Sequence, residues 1–485
     1  MPADIVPAFV TGETMTIRTA GLTAGLMGHP ISTTVVTGAP NVPAVGVSLS
    51  AVGTNVTVRS LEAIVFVNTA NTFVTTSEIP ANTVVTSARL MDGATVLGTG
   101  VLSNIIDAAH DYGRVTFTGL NLAITRGTTR NLTVQISTAS GLIASHFVAV
   151  SVLGANAIDA VDTEGRTVTV TANVNVLASA ATPRVITVAT SGTLAAVISA
   201  ATPIAAIVPV GNTATGRADV AVTTIRYTAT NEPIILQDIT VARTANTALT
   251  SVEIVDGTRI ISMPVPETGN IIFRDVNIEI PATGHRDIVF RADLAGIGHG
   301  AVSGDTVTLD VQVTRARGRD SGANVTGGTS LNNITGGNAL TIRQTVPTIA
   351  KLSNSTVLTG ANDEVLRFTV SADASGDVEL RTLVVAFNRA VTGARLFEGA
   401  TEIDAGEGAT FGEFNIVARA ERNIAAGATR TFTVRADSGA GVTTALFASI
   451  LADTTGIVWG DGSGVIAITG ALAPGLPITG DTLRQ

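Results

Sequence analysis

Three segments of this 485-residue chain carry nearly the same sequence, which constrains the chain to a fold that can be built three times. Each segment centres on an acidic residue followed by glycine, and the three pairs are Asp92-Gly93, Asp256-Gly257 and Glu398-Gly399. Position 256 lies 164 residues after position 92, and position 398 lies 142 residues after position 256. These spacings exceed solenoid repeats and suit whole domains, so we expect three copies of one module, each with its own core.

Alternating apolar residues follow each motif and predict β-strands. In the first copy Val115 and Phe117, and then Leu120, Leu122 and Ile124, alternate with polar residues. A short acidic-glycine turn between apolar runs is a strong hairpin signal, because glycine accepts the positive φ of a tight turn. The sequence therefore predicts an all-β protein of three tandem Ig-like antiparallel β-sandwich domains.

Recurring turns and proline-bearing segments suggest where the domains begin and end. The predicted divisions are an N-terminal extension at 1–14, repeat 1 at 15–162, repeat 2 at 163–340 with a Gly-rich linker at 326–337, repeat 3 at 341–470, and a C-terminal tail at 471–485. The two terminal segments are β-prone and extended, so we expect that each can pair with a neighbouring subunit.

Composition narrows the class of partner. Apolar residues make up 45% of the chain and charged residues only 14%, which indicates a folded chain. A net charge of −9 gives no basic patch for nucleic acid, and the absence of cysteine excludes disulfides and thiolate metal sites. The apolar run at 193–210 contains Pro203 and Pro209, which favour two buried strands over a membrane helix, so we expect no membrane span.

Residue patterns for catalysis are missing from the sequence. No nucleophile elbow, phosphate-binding loop or dinucleotide motif is present, and the five histidines do not stand at metal-ligand spacings. We expect no enzyme activity, no catalytic residue and no cofactor. The acids at 92, 256 and 398 are better explained by hairpin turns, although two carboxylates would suffice for a glycosidase.

Carboxylates near the predicted domain joints are candidate ligands for a structural Ca²⁺ ion, because hard cations take carboxylate and carbonyl oxygens. The candidates are Asp159, Asp162, Glu164, Asp453 and Asp461. No regular calcium-binding loop accompanies them.

A short motif near the C-terminus resembles the sorting signal of Gram-positive surface proteins. Leu476, Pro477, Ile478, Thr479 and Gly480 match the Leu-Pro-x-Thr-Gly pattern at which sortases attach proteins to the cell wall. The resemblance implies cleavage between Thr479 and Gly480. The pattern departs from the family because Asp481–Gln485 follows, where a hydrophobic segment and a basic tail would be expected, and a chance match in a Thr- and Gly-rich tail is the alternative.

The repeats also resemble tandem β-sandwich proteins of bacterial cell surfaces, of the S-layer, stalk or filament type. The resemblance implies an extracellular structural protein that self-associates through strand edges and terminal extensions, with the cell wall as a further partner. The single lysine, Lys351, opposes a lysine-linked pilin. Two alternatives are a carbohydrate-binding adhesin, for which Trp459 would be the aromatic platform, and a virion or tail structural protein.

Overall fold

The structure is a computed structural model that describes residues 20–70, 79–106, 111–152, 155–173, 185–242, 248–325, 334, 337–406, 411–415, 423–439, 444–452, 456–465, 468–469 and 472–485. Within these ranges the regular structure is β-strand apart from the single 3₁₀ turns at Ala81–Thr83 and Ala155–Ala157. The chain forms two compact units, one made of 1–193, 229–234 and 317–325, and the other of 194–228, 235–316 and 326–485.

The first repeat contains strands β1 to β13. They are β1 Gly21–Leu26, β2 Thr33–Val36, β3 Val42–Val52, β4 Val56–Asn68, β5 Val85–Asp92, β6 Thr95–Val101, β7 Ser103–Ile106, β8 Asp111–Ile124, β9 Thr129–Thr138, β10 His146–Ser151, β11 Ile158–Val161, β12 Thr169–Asn173 and β13 Ile186–Ala189.

The second repeat contains strands β14 to β25. They are β14 Thr193–Ile198, β15 Ala206–Pro209, β16 Arg217–Thr230, β17 Ile234–Ala242, β18 Leu249–Asp256, β19 Arg259–Pro264, β20 Ile271–Phe273, β21 Ile278–Ile280, β22 Arg286–Leu294, β23 Thr306–Val307, β24 Asp310–Gly318 and β25 Leu340–Arg343.

The third repeat contains strands β26 to β37. They are β26 Pro347–Leu352, β27 Asp363–Ala372, β28 Val378–Phe387, β29 Thr392–Glu398, β30 Thr401–Ala405, β31 Phe411–Asn415, β32 Asn423–Ile424, β33 Thr429–Asp437, β34 Ala448–Ile450, β35 Ile457–Gly460, β36 Ile468–Thr469 and β37 Ile478–Thr479.

One sheet has the same strand order in all three repeats. The order is β1-β3-β9-β5-β6 in the first, β14-β16-β22-β18-β19 in the second and β26-β27-β33-β29-β30 in the third. In each case the hairpin with the acidic-glycine turn supplies the last two strands, so its second strand lies at the edge. The remaining strands form further sheets, and the alternating burial along the strands places apolar side chains inside a sandwich. The prediction of an all-β fold of sandwich domains is confirmed.

The first sandwich extends past its predicted limit at residue 162. β12 pairs with β1 in parallel, and β13 pairs with β2 in parallel, so residues up to Ala189 complete the sheets of the first repeat. The predicted boundary is too early because alternation identifies a strand without showing which sheet it joins.

The C-terminal residues complete the third sandwich, which corrects the prediction of a separate tail at 471–485. β37 pairs with β34. Arg484 forms a parallel bridge with Val357. The last strands of the other two repeats also pair in parallel, β13 with β2 and β25 with β15. Leu483 is fully buried in the core of this repeat. Each repeat therefore ends with its own closing strand, and 472–485 is not a free extension available to a neighbour.

The cores are aliphatic with a few aromatic rings. The core of the first repeat includes Phe117 and Leu132, and in the third repeat Phe368 stacks on Phe432 with ring centroids 5.7 Å apart. The apolar run at 193–210 forms β14 and β15. In the part of the chain that the structure describes, no helix has the length and hydropathy to cross a membrane.

Candidate assembly edge

The three acidic-glycine pairs occupy equivalent hairpin turns. Gly93, Gly257 and Gly399 have φ values of 58°, 60° and 60°, a left-handed region that glycine accepts without a steric penalty. Each glycine begins a two-residue loop, because the acid before it pairs across the hairpin with the residue three positions later. The turn at the sheet edge is therefore the same in every repeat.

The recurring acid has a second role that the turn motif alone does not predict. In each repeat its carboxylate binds an arginine on the neighbouring sheet strand, and the pairs are Asp92–Arg130 at 3.0 Å, Asp256–Arg286 at 2.6 Å and Glu398–Arg430 at 3.2 Å. The middle pair is bidentate, since Arg286 donates from both Nε and Nη2. The carboxylates in the motif are thus engaged in fixing the hairpin to the sheet.

A third device recurs where the long strand of each repeated sheet begins. Asn41, Asp219 and Asn362 have φ values of 57°, 57° and 51°, which Asn and Asp tolerate better than most residues. Each donates its backbone N–H to a side-chain oxygen across the sheet, and the acceptors are Ser137, Asp293 and Asp437 respectively. The three acceptor side chains therefore bind backbone N–H groups of their own sheet.

Glu232 is a buried carboxylate in the first unit. It accepts four hydrogen bonds, from the backbone N–H groups of Gly192, Asp320 and Ser321 and from the Ser321 hydroxyl, at 2.7 to 2.9 Å. The four donors offset the cost of burying the charge. Both carboxylate oxygens are occupied by the protein itself.

Asp461 makes a comparable network in the second unit, where the second and third repeats meet. Its side chain is 0% exposed and accepts bonds from the Ser303 hydroxyl, the Gln344 N–H, and the N–H and hydroxyl of Ser463. Arg343 in turn donates to the Ser303 hydroxyl at 3.1 Å. The network links a loop of the second repeat to the turn that follows β35 in the third repeat.

The predicted calcium ligands do not form a common set among the described residues. Asp162 accepts the N–H groups of Glu164 and Arg166, and Glu164 accepts the Thr163 hydroxyl. Asp159 lies exposed on β11, and Asp453 lies outside the described residues. No group of three or more His, Cys, Asp or Glu side chains in the described ranges is arranged to hold a metal ion.

The aromatic residue that the adhesin alternative would use, Trp459, is in the core. Trp459 and Tyr227 are both 0% exposed, so neither ring is available to stack on a sugar at the surface. Burial raises the pKa of the Tyr227 hydroxyl well above its usual value, because the charged phenolate would lose its hydration in the core. The sequence could not show this, since strand alternation does not distinguish core aromatics from a binding platform.

The Leu-Pro-x-Thr-Gly motif lies just before the closing strand of the third repeat, which is formed by residues 482–485. Ile478 and Thr479 form β37, and Gly480 donates its N–H to Ala448 at 2.8 Å. A Cβ at Gly480 would stand 2.2 Å from the carbonyl oxygen of Val365, so the backbone is tightly enclosed. Cleavage between Thr479 and Gly480 would require β37 to leave its sheet. The sorting function stays a prediction.

The edge strands of the repeated sheets differ in how they are protected. β6 exposes Val96 at 47% and Val101 at 78%, and residues 93–106 include no charged side chain. β19 carries Arg259 and ends at Pro264, and β30 carries Glu402 and Asp404. Charged residues and proline on an edge strand discourage pairing with another sheet. Of these three hairpin edge strands, only β6 lacks both.

Comparisons with known proteins give weak likenesses. No protein-family model and no curated protein matches the chain. Among solved structures, a putative membrane anchored protein from Corynebacterium diphtheriae is 8% identical with a TM-score of 0.15, over 95% of this chain and 91% of that one. The C-terminal domain of the Streptococcus pyogenes antigen I/II-family protein AspA is 10% identical with a TM-score of 0.17, over 61% of this chain and 99% of that one.

A third solved structure, Salmonella alpha-2-macroglobulin reacted with methylamine, is 10% identical with a TM-score of 0.18. This chain is covered over 93% of its length, and only 30% of the macroglobulin is covered. Similarities at these scores carry no argument about fold or function. The conclusions below rest on the chain's own residues.

Proposed function

We propose that this chain is a non-enzymatic structural protein of a bacterial surface, whose repeated β-sandwiches serve as a scaffold that self-associates through sheet edges. The proposal rests on the ion pairs that the recurring acids form. All three bind an arginine of their own sheet, and the turn glycines beside them have the same conformation. The motif that was copied is therefore structural.

The other buried carboxylates support the same conclusion. Glu232 and Asp461 are surrounded by hydrogen-bond donors of the protein itself, which occupy both carboxylate oxygens of each residue. An acid–base catalyst needs a carboxyl group that reaches a reacting proton. Neither residue is placed to do so.

Placement at a bacterial surface is supported by the sequence. The chain has no cysteine and one lysine, and its repeats are rich in Thr, Val, Ala and Gly, as in the surface proteins that it resembles. The proposal includes the layer, stalk and filament forms of such an assembly and contact with the cell wall. Sandwich repeats alone do not distinguish these forms.

The proposal is tested by assembly and by location together. We expect the purified full chain to show concentration-dependent association in sedimentation velocity, with ordered particles in negative-stain electron microscopy. Antibodies raised against it should label intact source cells. A chain that stays monomeric at high concentration, or that is labelled only after cell lysis, would contradict the proposal.

A further inference from the structure

We infer that β6 and β7 of the first repeat form the edge at which a second copy of this chain pairs, strand to strand and antiparallel. The inference rests on the proposed self-association and names the surface that performs it. β6 is an edge strand of one sheet and β7 an edge strand of the other. In the described residues β6 forms ladder hydrogen bonds with β5 alone, and β7 with β8 alone.

Two glycines let the edge ribbon lie close over the core. A Cβ at Gly100 would stand 2.5 Å from Val115, and one at Gly98 would stand 3.5 Å from Phe117. Positions 98 and 100 therefore face the opposite sheet. The intervening Thr99, like Val101, is exposed, and these two side chains point away from the core. A partner strand would contact them.

The ribbon is continuous across both sheets. Leu102 is buried between β6 and β7 and anchors the point where the chain crosses from one sheet to the other. The second repeat does not have this continuity, because residues 265–270, which separate β19 from β20, form no strand. The first repeat therefore presents a longer uninterrupted edge to a partner strand than the second repeat does.

A second copy fits this edge better than it fits the hairpin edges of the other two repeats. Two identical strands pair antiparallel about a two-fold axis, and 93–106 brings no like charges together when it does so. Two β30 strands would bring Glu402 and Asp404 near their own copies. The contact area of two short strands is below that of a stable protein interface, so we expect a reversible dimer.

The first test places a charge on the edge. Thr99→Lys in the full chain should weaken dimerisation, measured by sedimentation velocity, by at least about tenfold, because each copy would present a lysine to the other. The matched control is Ala405→Lys, because Ala405 is exposed on β30 opposite Arg395 of β29, as Thr99 is exposed on β6 opposite Arg89 of β5. The control should associate like the unmodified chain.

The second test uses the absence of cysteine, which makes any introduced thiol unique. Thr99→Cys and Val101→Cys should give covalent dimers with a short bismaleimide, and Ala405→Cys should give none. If the chain associates but Thr99→Lys has no effect and the thiols on β6 do not cross-link, the inference is wrong and the proposed function stands. If the unmodified chain does not associate, the proposed self-association itself fails.

Discussion

Buried carboxylates show most clearly how single residues stabilise this protein. Asp461 stands at the joint of the second and third repeats, and four donors point at its two oxygens. Removing the carboxylate leaves several buried donors unpaired, and each costs more free energy unpaired than it contributed when paired. The residue therefore matters through the groups around it.

Asp461→Ala should lower the free energy of unfolding of the third repeat by about 3 kcal/mol. Trp459 is the single tryptophan and is buried in the core of that repeat, so its fluorescence in a denaturant titration reports this domain. Glu402→Ala, which removes an exposed carboxylate of the same repeat, should change the free energy of unfolding by less than about 0.5 kcal/mol. Equal effects of the two variants would contradict the account.

Asp363 gives a prediction for pH. Burial by itself would raise the pKa of Asp363, but hydrogen bonds from Thr359, Gly360 and Ser438 outweigh it and hold the pKa below the ordinary value of 3.8. Because the folded state has the lower pKa, the stabilisation is complete above pH 3.8 and is lost as the pH falls through the folded-state value.

The third repeat should therefore lose stability on acidification below about pH 4, and Asp363→Asn should flatten that loss. The measurement is the free energy of unfolding from Trp459 fluorescence at a series of pH values. Glu402→Gln, at an exposed carboxylate of the same repeat, is the control and should keep the slope of the unmodified chain. An unchanged slope in Asp363→Asn would show that this carboxylate does not carry the effect.

At the scale of the hairpin, the acid and the arginine should act as a pair. Asp256–Arg286 is bidentate, and the Asp256 side chain is nearly buried, so a double-mutant cycle with Asp256→Ala and Arg286→Ala should give a coupling free energy of about 1 kcal/mol. Amide hydrogen exchange of β18 and β19 measures it. Asp92–Arg130, which is more exposed, should give about half. If neither pair shows a coupling free energy, the ion pair does not explain why the acid recurs in each repeat.

The hairpin also shows what the sequence can and cannot predict. Asp-Gly between apolar runs predicts the turn because only backbone geometry is involved. An arginine recurs at 130, 286 and 430, so a comparison of the three copies would have singled it out. Its ion pair with the turn acid could not be predicted, because that pair depends on which strand lies beside the hairpin. The charge-free edge at 93–106 is also visible in the sequence, but only the sheet order shows that it is an edge.

The predicted domain ends failed for a related reason. Thr341-Ile342-Arg343-Gln344 and Thr482-Leu483-Arg484-Gln485 are two copies of the closing strand, and Ile-Thr-Gly precedes each of them, at 334–336 and 478–480. The sorting-signal match therefore overlaps a piece of the repeat. The parallel pairing of these strands is a long-range contact, which no local pattern indicates.

At the scale of the whole molecule, the closing strand should be essential to the third repeat. Leu483→Ala removes a fully buried side chain and should lower the free energy of unfolding of this repeat by about 3 kcal/mol, as followed by Trp459 fluorescence. Leu472→Ala, at an exposed position of the same segment, should cost less than about 0.5 kcal/mol. If Leu483→Ala is neutral, the segment is not docked and remains available to another subunit.

The edge hairpins of the three repeats are unequally protected against pairing. The edge hairpins of repeats two and three end in strands that carry charge or proline, and the edge hairpin of the first repeat ends in a strand that carries neither. A chain built of copies needs such protection on most of its edges, because unprotected edges pair without specificity. The edge hairpin of the first repeat is left available for a defined two-fold contact, which joins two chains.

Amide hydrogen exchange of the full chain at low and high concentration tests this claim most directly. We expect peptides covering 95–106 to gain protection at high concentration, because the outer backbone groups of β6 and β7 become paired, while peptides covering β19 and β30 exchange at the same rate at both concentrations. Protection gained at β30 or β19, or an unchanged exchange rate at 95–106 in a sample that has associated, would contradict the account.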